Sequence, residues 1–487
     1  MSDNATEFIA PDGSNRDAVE ALLTKAVKIV TSTLAQASAR PPMPDSVPEL
    51  DELVLPRQGA SDDVLLAEVE SLLGYCMNQA NPGYIGHMDP MPATASVVGE
   101  LVASAVNNNM LSVEMSPLWS KLEYRLMQVF SKAFGLGELS GGVALSGGTL
   151  ANLQALTLAR NQAFELGDEG LIGLQSKPIV LVSEAAHVSF HKAAMILGLG
   201  TRSVISLPTD NLSRLKVDVA SALISQLRSE GKHPFCIVGT AGTTTTGSID
   251  PLDGLADVAY QHGLWYHVDA AYGGALQFSP THREKLLGIE RADSVTFNPQ
   301  KWFYVARTSA MLLVRDLSIL NSHFRQHAPY MGADDETPNL GEISVQGTRF
   351  SEVLKLWLTI KHLGLDRLAA LIDRGCELAS YMHARVRERS VLVSTDAPDT
   401  NLVAFRGEPA KLGPRACDEW NTHLQSHLAA HGLFLSLPSY RQQRWLRAVV
   451  LNPFTNEATI DHMFDLIDEF SAQDPQAAAW PNSTHIA

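Results

Sequence analysis

The sequence predicts an α/β protein with a mostly parallel sheet in a large domain and a smaller α+β domain after it. Three observations carry this. From residue 146 onward, short apolar β runs alternate with helical stretches of about 10–15 residues, the signature of parallel crossover units. Glycine-rich and polar clusters sit at the ends of those runs, where open parallel sheets bind ligands. After about Phe350 the alternation stops, and a long helical stretch precedes two isolated β runs.

Taken in order, residues 18–34 carry helical patterning, and Pro41-Pro42-Met43-Pro44 follows as an arm or linker. The turn Ser146-Gly147-Gly148-Thr149 opens a helix over 150–164. Strands are predicted at 178–182, 203–207, 235–239, 265–268 and 294–297. Helices are predicted between them at 188–197, 217–230 and 252–262. The C-terminal part reads as a helix over 352–388 and β runs at 401–406 and 444–451. The expected division is an N-terminal helical arm (1–85), a large α/β domain (86–350) and a small α+β domain (351–487).

Composition narrows the function. The 487 residues are 45% hydrophobic and 18% charged, which excludes wholesale disorder and fibrous repeats. The net charge of −16, from 37 Lys+Arg and 53 Asp+Glu, argues against nucleic-acid or anionic-membrane partners. Cys76, Cys236, Cys376 and Cys417 are far apart and form no CxxC pair, so reduced thiols are expected and neither a disulfide framework nor a metal site is. The polar N-terminus lacks a basic segment followed by an apolar core, and no apolar run approaches the roughly 18 residues that span a bilayer. A soluble, cytoplasmic protein is expected.

Four clusters carry the chemistry. Ser146 to Thr149 can present backbone N–H groups and a helix dipole to a phosphate, and equally fits a plain glycine turn. Gly239-Thr240-Ala241-Gly242-Thr243-Thr244-Thr245-Thr246-Gly247 offers small residues and hydroxyls after a buried strand, or a tight loop of backbone-bonding threonines. In His267-Val268-Asp269-Ala270-Ala271, an Asp at a strand end can bury a carboxylate against a cation. Strand alternation puts His267 on its face, yet two ligands make no metal site. In Asn298-Pro299-Gln300-Lys301-Trp302, burial would lower the lysine pKa and make it a nucleophile, against the commoner solvated surface lysine. An anion site, an Asp for a protonated ring nitrogen and an imine-forming Lys together match the needs of pyridoxal phosphate.

These clusters, in this order and with Ser183-Glu184-Ala185-Ala186-His187-Val188-Ser189-Phe190, resemble the group II pyridoxal-phosphate-dependent amino-acid decarboxylases. That family takes in the glutamate, cysteine sulfinate, diaminobutyrate and aromatic amino-acid enzymes. The similarity runs from about residue 82 to 465, and Asn107 to Pro117 looks closest to the glutamate-type branch. The resemblance implies the type I pyridoxal-phosphate transferase fold, similar to aspartate aminotransferase, in a homodimer with shared active sites.

Residue by residue, it implies Lys301 as the Schiff-base lysine and Asp269 as partner of the pyridinium nitrogen. Ala271 and His187 would pack on the two ring faces, and Thr244 would bond near the phenolic oxygen. Gly148, Thr149 and Asn298 would hold the phosphate, with Gly347 contributed across the dimer. Arg447 would bind a substrate carboxylate. Tyr330, in the stretch matching a mobile loop, would protonate the carbanion after carbon dioxide leaves. His87, Asn109 and Leu111 would line the substrate pocket. Gln300 departs from the family's usual His; it can still bond a phosphate but cannot carry a proton. The implied activity is decarboxylation of an L-amino acid to its amine. The alternatives are oxidative decarboxylation-deamination to an aldehyde, or a silent pyridoxal-phosphate-binding protein.

Overall fold

The structure, a computed structural model, describes residues 6–49, 54–164, 166, 170–327 and 337–473. Four helices precede the sheet: α1 (Arg16–Ala35), α2 (Asp62–Leu73), α3 (Thr94–Val106) and α4 (Pro117–Ala133). Ser61 caps α2 by accepting the Val64 amide hydrogen, and Pro117 opens α4, where its missing N–H costs nothing.

The large domain then runs β1 (Gly141–Leu145), α5 (Gly148–Ala163), β2 (Lys177–Ser183), α6 (Ser189–Ile196), β3 (Val204–Leu207), α7 (Val217–Ser229), β4 (Lys232–Thr240), α8 (Leu252–His262), β5 (Trp265–Asp269), β6 (Ser294–Phe297) and β7 (Ala310–Val314). These seven strands form one sheet in the order β1-β7-β6-β5-β4-β2-β3. The β2, β3, β4, β5 and β6 pairings are parallel, and β7 runs antiparallel to both β6 and β1. The sheet is mostly parallel, as expected. Its inner strands are buried along their length, so they read as unbroken apolar runs.

Two strands were not legible. Gly141 and Gly142 depress the β character of β1. The β7 run, Ala-Met-Leu-Leu-Val, follows no helical crossover, and a short apolar run alone does not distinguish strand from buried helix. Gly142 is nonetheless required: a Cβ there would lie 2.2 Å from the Leu312 carbonyl oxygen of β7. The far end of β1 is tied by a buried ion pair. Arg349 Nη1 lies 3.0 Å from Glu123 Oε1 and also donates to the Ala144 carbonyl, while Glu123 accepts the Ala144 N–H.

After α9 (Ser318–His323), the smaller part contains α10 (Glu352–Arg387), β8 (Leu392–Ser394), β9 (Leu402–Gly407), α11 (Pro414–Ala430), the β10 (Ser439–Tyr440) and β11 (Gln443–Arg444) hairpin, β12 (Leu446–Val449) and α12 (Glu457–Gln473). The predicted single helix over 352–388 is broken at Gly364, whose φ of 73° and ψ of 161° are non-helical. An antiparallel sheet β12-β9-β8 is packed by α10, α11 and α12. Apolar residues form two cores. One surrounds the large sheet; the other gathers Ile85 with residues of α10, β9, α11, β12 and α12. The helix α10 joins them, giving Leu368 and Ile372 to the first and Leu378 and Met382 to the second. Gly99 lets α3 lie against α10, since a Cβ there would meet Lys355 Cα at 2.6 Å. Among the described residues no helix is long and apolar enough to cross a membrane.

Substituting Gly142→Val should lower unfolding stability by at least about 1–3 kcal/mol, because the atom met is backbone and cannot rotate away. Urea unfolding of the two proteins checks this.

Candidate active site

The parallel strands end on one side of the sheet, and the four clusters found in the sequence collect there: α5 begins after β1, Thr240 ends β4, Asp269 ends β5, and Asn298 follows β6. Asp269 is 5% exposed. Its Oδ2 accepts from Asn152 Nδ2 at 3.0 Å, and its Oδ1 from the Ala271 N–H at 3.2 Å. No cation lies within ion-pair distance of it among the described residues. Ala271 itself is half-buried.

Lys301 sits in a tight turn after β6, its N–H donating to the Asn298 carbonyl. Next to it Trp302 is fully buried and stacks on Tyr272 at 5.2 Å. Desolvation pushes the Lys301 pKa down; Asp269 opposes this and Arg447 adds to it. His187 remains exposed in the single chain, its Nδ1 accepting the Ser189 N–H at 3.2 Å. Desolvation also lowers its pKa, with Asp269 opposing and Lys301 adding. The imidazole is therefore neutral near pH 7, with its hydrogen on Nε2.

The helix α5 starts at a glycine pair. Gly147, with φ of 138°, is its N-cap, so Thr149 lies within the first turn and is not the cap. A Cβ on Gly148 would lie 2.9 Å from the Asn298 amide nitrogen. Asn298 Oδ1 is buried and has no hydrogen-bond partner. The turn is braced from behind: Gln346 bonds the Ser146 N–H and hydroxyl, and Ser146 Oγ donates to the buried Glu352 at 2.7 Å. Gln300 has its Oε1 engaged by the Ser309 N–H at 2.6 Å, so only its amide nitrogen is left for a ligand. In the threonine loop, Thr243, Thr246 and Ser248 bond one another through their hydroxyls. Thr244 is exposed and gives its carbonyl to Arg447.

Arg447, on β12, reaches across from the smaller part. Its Nε donates to Ser436 Oγ (2.8 Å), Nη1 to Thr244 O (2.7 Å), and Nη2 to Gly86 O (3.0 Å) and His87 Nδ1 (2.9 Å). No carboxylate pairs with it among the described residues. Four of its five N–H groups are engaged, leaving one on Nη1. Desolvation lowers the His87 pKa, and Arg447 and Arg307 lower it further. His87 is thus neutral, with Nδ1 as acceptor and Nε2–H as donor.

Asn109 and Leu111 fall into a different group. Asn109 Oδ1 accepts from the Leu111 and Arg349 amides, its Nδ2 bonds Thr348, and Leu111 packs beside Gly347 and Gly341. Within one chain they brace the 341–349 segment, and no hydrogen bond joins them to His87 or Arg447. Tyr330 lies outside the described residues. Sequence reasoning missed Asn152, Glu352 and Gln346; the bonds that tie them to Asp269 and Ser146 cross more than a hundred residues, and no local pattern marks them.

Residues 44–408 match the family model of the pyridoxal-dependent decarboxylase conserved domain. The chain belongs to the pyridoxal-dependent decarboxylases. It is 30% identical over 484 residues to an L-2,4-diaminobutyrate decarboxylase of Rhizobium meliloti, covering 96% of this chain and 95% of that one. Identity to a mouse cysteine sulfinic acid decarboxylase is also 30%, over 470 residues and 92% and 95% of the two chains. Among solved structures, mouse CSAD superposes with a TM-score of 0.87 at 29% identity over 93% of this chain and 98% of that one. An Oryza sativa TDC with PLP and tryptamine gives 0.88 at 25% over 96% and 99%. The decarboxylase therefore has the fold of the pyridoxal-phosphate decarboxylases, uses pyridoxal phosphate, and decarboxylates an amino acid.

The residues present suit that cofactor. A glycine-lined helix start with the Asn298 amide nitrogen beside Gly148 offers donors to an anion. A buried carboxylate without a cation can take a protonated ring nitrogen, and a lysine of lowered pKa can condense with an aldehyde. No cluster of three or more metal-ligating side chains occurs among the described residues.

Burial holds the pKa of His267, behind Asp269, down to about 4 from 6.5. The folded state then binds this proton less readily than the unfolded one. Stability on the order of 3 kcal/mol should be lost as pH falls from 6.5 to 4. Urea unfolding across that range should show a shallower loss for His267→Gln than for the wild type.

Proposed function

We propose that this decarboxylase converts an L-amino acid to the corresponding amine and carbon dioxide, with Lys301 as the amine that attaches the cofactor. The observation that carries the reading is the placement of Lys301: it sits half-buried in the tight turn after β6, between the Asn298 carbonyl and the fully buried Trp302, where desolvation lowers its pKa and the buried Asp269 and Arg447 act on it in opposite directions. Desolvation raises the share of uncharged, nucleophilic amine near pH 7. Bound there, pyridoxal phosphate supplies an electron sink for the bond to the departing carboxylate.

The chain's own residues supply the rest. Gly148, Thr149 and Asn298 hold the phosphate, assisted by the free amide nitrogen of Gln300 and by Gly347 from a second copy. Asp269 holds the ring nitrogen protonated. His187 and Ala271 enclose the ring, with Thr244 beside it. Arg447 offers its remaining Nη1 hydrogen to a substrate carboxylate, held in place by its four other bonds. Tyr330 is the proposed proton donor to Cα. His87 meets the substrate with Nε2–H, and Asn109 and Leu111 serve the pocket across a homodimer. Exposed apolar residues on α1 and α3, among them Leu23, Val27, Val98 and Leu101, support pairing of two chains. The four unpaired cysteines suit the cytoplasm. The division at 1–85, 86–350 and 351–487 belongs to the same reading, supported by the two apolar cores.

Glutamate, aspartate, diaminobutyrate and aromatic amino acids are the candidate substrates. Incubating the protein and cofactor with a pool of L-amino acids, followed by mass spectrometry, should reveal one amine lacking a carboxylate. An aldehyde would move the enzyme to oxidative chemistry, and no product at all would favour a silent binder. Lys301→Ala should abolish turnover, and appreciable residual activity would sink the assignment. Arg447→Leu should reduce kcat/KM by about ten- to a hundredfold, mainly through KM.

A further inference from the structure

Behind Asp269 lies a chain of buried polar side chains that the proposed function leaves without a role. Asn152 on α5 is 1% exposed, and His267, Ser294 and Thr296 are 0% exposed. Asn152 Nδ2 gives one hydrogen to Asp269 Oδ2 (3.0 Å) and one to Ser189 Oγ (2.9 Å). Its Oδ1 faces His267 Nε2 (3.1 Å) and Thr296 Oγ1 (2.8 Å). On the other side of the imidazole, His267 Nδ1 lies 2.8 Å from Ser294 Oγ, which accepts the indole hydrogen of Trp265 at 2.9 Å.

The Asp269 carboxylate orders the hydrogens of this chain. An ionised carboxylate can only accept, so Asn152 turns its amide nitrogen toward Asp269 and its oxygen toward His267 and Thr296. His267 then carries its hydrogen on Nε2 and donates it to Asn152 Oδ1, as Thr296 does. Turning the Asn152 amide over would face its oxygen against the acceptor-only Asp269 carboxylate and leave that buried oxygen without a donor. With its hydrogen on Nε2, His267 accepts at Nδ1 from Ser294, so the groups behind Asn152 support the orientation that Asp269 sets.

We propose that Asn152, whose amide oxygen is held by His267 and Thr296, is a positioning residue that holds the Asp269 carboxylate in place for the cationic ring nitrogen of the cofactor. This rests on the reading that Asp269 meets that nitrogen. A packing role would support any ligand in the cleft alike; a role exercised through Asp269 acts only on a ligand bearing the nitrogen.

The test compares apo-protein binding of pyridoxal phosphate with its analogue in which carbon replaces the ring nitrogen. Asn152→Ala should weaken pyridoxal phosphate by about ten- to a hundredfold and the analogue by no more than about twofold. His267→Leu should also weaken pyridoxal phosphate selectively. His267→Gln, whose amide can still donate to Asn152 Oδ1, should stay within about twofold of wild type. Equal losses for the two ligands, or no loss for pyridoxal phosphate, would overturn the proposal. A wild-type protein that binds both ligands equally would overturn the Asp269 reading itself, and this inference with it.

Discussion

A carboxylate buried without a cation is the constraint on which the site depends. Taking Asp269 out of water costs several kcal/mol unless its oxygens are bonded. The protein answers with the Asn152 amide on one oxygen and the Ala271 N–H on the other. Both are hydrogen-bond donors, and neither brings a full positive charge. The remaining electrostatic demand is directed outward, past Ala271, to whatever occupies the cleft. A cationic ring meets that demand, so binding the cofactor should also stabilise the folded chain.

Arg447 presents the opposite case. It is a buried guanidinium with four neutral acceptors and no carboxylate partner among the described residues. Its acceptors come from β12's neighbour Ser436, from the threonine loop and from Gly86 and His87, so it clamps three distant parts of the chain. The attachment of the smaller part to the threonine loop and to the Gly86-His87 segment thus rests on one side chain, the same one proposed to meet the substrate. Lys301 feels Asp269 and Arg447 together. Desolvation lowers the pKa of its amine first, and two buried charges of opposite sign then act on it, one against that shift and one with it.

Much of this was legible in the sequence because buried parallel strands read as plain apolar runs and their ends carry the chemistry. Asp269, Asn298 and Lys301 stand immediately after such runs, and Gly147-Gly148 marks the start of α5 without further information. His267 was visible as a same-face neighbour of Asp269, but with its role undetermined; the structure joins the two through Asn152 rather than through a shared ligand. The strands β1 and β7 were hidden, one by glycines and the other because no helical crossover precedes it. Gly142 carries a weak propensity signal for the same reason that it is needed: a side chain there has no room against β7.

The sequence by itself determined the alternation of helices with the parallel strands of the large sheet, which follows from periodicity, and the family, which its ordered motifs resemble and the family model bears out. Only the tertiary structure decided which groups meet. It brought Arg447 to Thr244 and His87 across separations of 203 and 360 residues, and Asn152 to Asp269 across 117. It also kept Asn109 and Leu111 with Gly347, with no bond to the His87 and Arg447 pair. Such pairings depend on the crossover topology of the sheet and on how the smaller part docks. No local pattern encodes either, because hydrogen-bond satisfaction in a core is a property of the whole packing.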